Sequence, residues 1–104
     1  LSRDQAYSEE PMVIEQLTFE VPPADQARFV ALDAAVWTPV LSAQPGFAGK
    51  EVWREAAEPG RLHLVIRWQS RAHWHAVPGH LLAATDAAFN AALGTVYPVL
   101  RCLD

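Results

Sequence analysis

The chain has 104 residues, 51% of them hydrophobic, and a formal net charge of −4. That length suits one domain with its own core, and the apolar fraction excludes a disordered chain. The acidic balance and the scattered Lys and Arg exclude a phosphate-binding surface, so no nucleic-acid partner is expected.

Residues 1–11, LSRDQAYSEEP, are polar and without period. They read as a flexible tail rather than a signal peptide, because an apolar segment is missing. The folded domain is expected over residues 12–104. Cys102 is the only cysteine, which fits a reducing, cytoplasmic setting and allows no intrachain disulfide. No apolar run approaches the roughly 20 residues of a membrane-spanning helix, so no membrane partner is expected.

Met12 to Val21 alternates and predicts a first strand. Val13, Glu15, Leu17, Phe19 and Val21 share one face; Ile14, Gln16, Thr18 and Glu20 share the other. Pro22-Pro23 ends it, and a helix starts near Ala24-Asp25 with proline at its beginning. Phe29, Val30, Leu32, Val36, Trp37, Val40 and Leu41 cover one broad face of that helix. Pro39 should bend it by removing a hydrogen bond. Pro45-Gly46 stops the helix, and Phe47 to Glu55 predicts a second strand in which Gly49 allows a bulge. Glu58-Pro59-Gly60 predicts the turn of a hairpin.

Arg61 to Trp68 follows with strict period two. Leu62, Leu64, Ile66 and Trp68 face one way; His63, Val65 and Arg67 face the other. Ser70 is placed to cap a helix that Pro78-Gly79 interrupts. The helix resumes with Leu81, Leu82, Thr85, Ala88, Phe89, Ala92 and Leu93 on one face and stops at Gly94. Thr95 to Leu103 predicts a fourth strand, which Pro98 assigns to an edge or a bulge.

The order β-α-β-β-α-β is the ferredoxin-like, α+β pattern. It implies one four-stranded antiparallel sheet with its helices on one face. The opposite face, with Ile14 and Val65, is left bare, so a homodimer with two sheets face to face is expected.

The segments QPGFAGKEVW and RWQS, with the interrupted second helix, resemble the antibiotic biosynthesis monooxygenase-type dimeric α+β barrels. Within that superfamily MVIEQLTFEVP, LDAAVWTPVL and PGFAGKEVW are similar to a small group of bacterial, often cyanobacterial, proteins. The resemblance covers about Met12 to Leu100. It implies a dimeric barrel, and an activity among cofactor-free oxygenases of aromatic polyketides, haem degraders and proteins without a reaction. In the haem degraders an Asn on the first strand, a Trp ending the third and a His on the second helix surround the haem. Trp68 matches the Trp. The Asn position falls at Glu15 or Gln16, and the His position near Pro78, between His75 and His80. Two departures from three argue against haem degradation.

Two carboxylates stand among apolar neighbours. Glu15 lies between Val13, Leu17 and Phe19, and Asp33 sits at the centre of the first helix's apolar face. Burial disfavours a charged carboxylate unless a donor or cation compensates. The indole N–H of Trp37, one turn after Asp33, is a candidate donor. Either carboxylate could be a general base for an activated phenol or carbon acid; the structural alternative is that Asp33 is a hydrogen-bonded core acceptor and Glu15 reaches solvent past the sheet edge. His75 and His80 flank the helix break and are candidates to orient or protonate a substrate; Trp37 and Trp68 would form the walls. Gln16, Thr18, His63 and Arg67 share the opposite face, as an interfacial polar network or an anion site centred on Arg67. Asp86 and Asn90 read as solvated helix positions. The spacing of His73, His75 and His80 supplies no H-x-x-x-H pair, so neither a metal nor a cofactor is expected.

Two functions follow from these residues. One is a cofactor-independent oxygenase or related enzyme, with a small aromatic substrate between sheet and helices. The other is a non-catalytic small-molecule-binding or dimerisation module.

Overall fold

In the computed structural model, which describes residues 11–97 and 99–103, four strands and three helices follow the order β1 (Val13–Glu20), α1 (Pro23–Ser42), β2 (Phe47–Arg54), β3 (Arg61–Trp68), α2 (Arg71–His75), α3 (Gly79–Leu93) and β4 (Val99–Leu103). The strands form one sheet in the order β2-β3-β1-β4. All its pairings are antiparallel. This is the α+β, ferredoxin-like arrangement, with β3 and β1 central as that connection order places them.

Local chemistry sets the element ends. Pro23 occupies the first turn of α1, where its missing N–H costs nothing. Pro39 stands inside α1, which nevertheless runs on to Ser42. The Ser70 hydroxyl accepts the backbone N–H of His73 at 3.1 Å and starts α2. Pro78 caps α3, and Gly94 ends it in the left-handed conformation at φ 82°. Gly46, at φ 84°, lies against the His73 ring, so a side chain there would meet both a strained backbone and a collision.

The core forms where the helices cover the inner face of the sheet. One cluster joins Val21, Phe29, Leu62, Leu64, Phe89 and Leu93. Phe29 packs edge-to-face on Phe89 with ring centroids 5.2 Å apart. A second cluster joins Leu41, Ile66, Trp68 and Val77.

Three expectations need correction. β4 begins at Val99 and not at Thr95; Pro98 lies outside the described residues, as does the tail through residue 10. The α3 stripe is narrower than its pattern, because Thr85, Phe89 and Leu93 are buried while Leu82, Ala88 and Ala92 are exposed. The turn that Glu58-Pro59-Gly60 predicts is present between β2 and β3, with the Arg61 N–H donating to the Glu58 carbonyl at 3.0 Å. The outer face of the sheet is not bare either. Val65 is fully buried within the single chain, whereas Ile14 stays exposed.

Candidate functional site

The inner face of the sheet brings three chemically unlike side chains into one row. Glu15 on β1 pairs with Ile66 on β3, and Ile66 pairs with Lys50 on β2. Lys50 reaches this face because the ladder slips between Phe47 and Gly49. Without the slip, alternation from the inward Phe47 would turn Lys50 outward. Gly49, at φ 143°, supplies the conformation of the bulge.

Above that row lies a cavity of about 510 Å³ between sheet and helices, within the range of roughly 300–1,000 Å³ usual for small-molecule sites. Trp37, Trp68, Trp74, Phe29 and Phe89 line it, together with Glu15, Asp33 and Lys50. Asp86, Asn90, Val96 and Tyr97 complete the wall. The exposed Asp86 accepts a hydrogen bond from the Asn90 amide at 3.3 Å. Arg28 donates to the carbonyls of Leu93 and Ala92 at 2.6 and 2.8 Å, which ties α1 to the end of α3.

Glu15 and Asp33 meet different partners in this space. The Trp68 indole N–H donates to Glu15 Oε1 at 3.1 Å. Burial pushes the Glu15 carboxyl above its ordinary range, against the opposing pull of Trp68, the Lys50 charge, Trp74 and the His75 charge. Asp33 Oδ2 meets Lys50 Nζ at 2.7 Å, with side chains 3% and 6% exposed. Lys50 also donates to the Thr38 hydroxyl at 3.3 Å. Asp33 Oδ1 is buried and has no hydrogen-bond partner. Burial raises the Asp33 carboxyl too, and Lys50 opposes the rise through its charge and its hydrogen bond.

Trp37 lines the cavity, but the donor to Asp33 is Lys50, which sequence alternation hides, and not the Trp37 indole. Glu15 does not escape past the sheet edge, since Trp68 holds it inside. Neither His75 nor His80 lines the cavity: both are exposed, and the His75 ring lies tilted against Trp74 with centroids 5.0 Å apart. His73 is taken by Ser70, whose hydroxyl lies 2.8 Å from His73 Nδ1.

His63 and Arg67 stand on the outer face and also stay out of the cavity. His63 Nδ1 lies 2.9 Å from the buried Thr18 hydroxyl and 3.4 Å from the Gln16 amide. Its Nε2 meets the Glu55 carboxylate. Arg67 is not part of that chain. It pairs with Glu51 at 3.0 Å, so an anion site centred on Arg67 already has its anion.

The residues that sequence reasoning passed over are Lys50 and Trp74; Asp86 and Asn90, read as solvated helix positions, also border the cavity. The signal for Lys50 was Gly49, whose bulge reverses the faces of β2. Trp74 follows the Ser70 cap by one turn, which carries it over the end of β3. Among the described residues no group of three or more His, Cys, Asp and Glu side chains could hold a metal ion. No helix there is long and apolar enough to cross a membrane.

The sequence profile of the antibiotic biosynthesis monooxygenase family matches residues 12–81. The chain belongs to that family. Solved structures share its fold. A proposed antibiotic biosynthesis monooxygenase from Bordetella bronchiseptica is 21% identical, with TM-score 0.70 over 90% of this chain and 94% of its own. One from Caulobacter crescentus is 20% identical, with TM-score 0.63 over 100% of this chain and 97% of its own. A variant of SnoaB, a cofactor-independent oxygenase from Streptomyces nogalater, is 20% identical, with TM-score 0.60 over 89% of this chain and 91% of its own. A comparison with curated proteins found no match.

Proposed function

We propose that this member of the antibiotic biosynthesis monooxygenase family is a cofactor-independent oxygenase of small aromatic molecules, with Glu15 as its general base. The observation that carries the reading is Glu15 itself. It is a carboxylate of raised pKa on the wall of an aromatic-lined cavity, oriented by one indole and bounded by another. A raised pKa makes a stronger base, and a low-dielectric wall favours transfer of a proton onto it. A structural role accounts for Asp33, which is paired with Lys50. It accounts less well for Glu15, which has no cation at ion-pair distance among the described residues.

The chemistry is balanced without a cofactor. Glu15 takes a proton from an activated CH2 between aromatic rings. The carbanion passes its electrons to dioxygen, and the hydroperoxide formed loses water to leave a carbonyl. One oxygen atom ends in the product and the other in water. Trp37, Trp68 and Trp74 hold the rings and exclude solvent. The working unit is a homodimer with outer sheet faces opposed, a reading supported by the exposed Ile14 and Trp53.

Oxygen uptake with anthrone and a panel of related aromatic carbon acids tests the reading. Glu15→Gln keeps an acceptor for the Trp68 indole and is expected to lower turnover about 10²- to 10⁴-fold with the fold unchanged by circular dichroism. Equal turnover in the variant would remove Glu15 as the base.

A further inference from the structure

We propose that Lys50 is a second catalytic residue of the cavity, the group that stabilises the oxyanion of an ionised aromatic substrate at the edge opposite Glu15. The inference rests on the reading of Glu15 as base and assigns the other end of the same reaction.

The register carries it. Glu15, Ile66 and Lys50 are neighbours across three adjacent strands on the inner face. Two strand spacings put the backbones of Glu15 and Lys50 about 10 Å apart, with the apolar side chain of a single Ile between them. An aromatic ring laid over Ile66 therefore has a carboxylate at one edge and an ammonium at the other. This suits an aromatic ketone whose acidic carbon lies across the ring from its carbonyl oxygen. A proton moves from that carbon to Glu15. The negative charge leaves Glu15 and settles on the oxygen beside Lys50, so the total charge of the three groups is unchanged.

Lys50 has the capacity for this role. Its side chain is 6% exposed, and it lines the cavity. Asp33 and Thr38 take two of its three N–H donors. The third is not claimed by any described residue. Asp33 and Thr38 fix the ammonium in place before a substrate arrives, which is how preorganised donors stabilise developing charge. Asp33 is thus a positioning residue, and it also tempers the charge that Lys50 presents.

The ionisation of bound 7-hydroxycoumarin tests this without turnover, because its phenol and phenolate absorb at different wavelengths. In the wild-type protein the bound probe should ionise at lower pH than in water. In Asp33→Asn, where the ammonium loses its counter-charge, the phenolate-to-phenol ratio at a given pH should rise a further tenfold or more. In Asp33→Asn/Lys50→Met the shift should vanish. The double variant removes both charges together, so it leaves no buried ion unpaired and is expected to fold. Lys50→Arg should retain part of the shift. A double variant that ionises the probe as readily as Asp33→Asn would overturn the role of Lys50. So would a wild-type cavity that fails to bind the probe at millimolar concentration, or binds it without shifting its ionisation. Failure of the Glu15 reading is seen separately, as unchanged oxygen uptake in Glu15→Gln.

Discussion

On the inner face of the sheet Lys50 meets Asp33 at 2.7 Å, with side chains 6% and 3% exposed; on the outer face Arg67 meets Glu51 at 3.0 Å, with side chains 31% and 47% exposed. Both pairs join a β2 or β3 cation to a carboxylate, yet they sit in opposite electrostatic situations. The outer carboxylate is satisfied: Arg67 and the Trp53 indole hold the Glu51 carboxyl below its ordinary range. The inner carboxylates stay above theirs, because burial outweighs the partners each has. The two faces of one sheet thus hold carboxyls shifted in opposite directions, raised where burial dominates and lowered where a guanidinium and an indole donate to them.

The largest break in this comparison is Lys50→Met. It strands the buried Asp33 carboxylate without a cation, and about 3–5 kcal/mol of stability should be lost. Urea unfolding of the variant beside the wild type measures it. A loss below about 1 kcal/mol would mean that Asp33 is already neutral in the folded protein.

A smaller effect tests the inner face by pH. A carboxyl whose folded pKa is raised holds its proton longer in the folded state than in the unfolded one. Its contribution to stability is present below the ordinary carboxylate range and is lost as pH rises through the raised value. Glu15→Gln removes that loss. Wild type and variant should melt together in acid, and the variant should melt higher at neutral pH. Identical melting profiles across both ranges would place Glu15 in ordinary solvent-like surroundings.

The smallest effect belongs to the outer face. Arg67→Met should lower stability far less than Lys50→Met does, since partly exposed pairs are screened by water. The same urea series reads it, and a cost equal to that of Lys50→Met would erase the contrast between the faces.

Much of this contrast was legible in the chain. Leu62, Leu64, Ile66 and Trp68 alternate so strictly that they name the inner face. Glu15 and Asp33 stand out because each interrupts an apolar set of known period, and both reach the cavity wall. Less legible was Lys50, because Phe47 to Arg54 reads as a plain strand until the bulge at Gly49 shifts the register by one residue. His75 and His80 were misread for a related reason: they flank a break whose direction no periodicity specifies. His63 and Arg67 fell on the predicted face, but their partners Glu55 and Glu51 come from other segments.

The sequence by itself determined the order of the elements and the inner and outer faces of β1 and β3, because periodicity, caps and turn residues are local properties. The tertiary structure alone decided which groups answer Glu15 and Asp33. Trp68 lies 53 residues from Glu15 along the chain, and Lys50 reaches Asp33 only through a bulge in a neighbouring strand. Such partners are set by sheet register and by helix packing over the sheet, which short-range pattern does not encode.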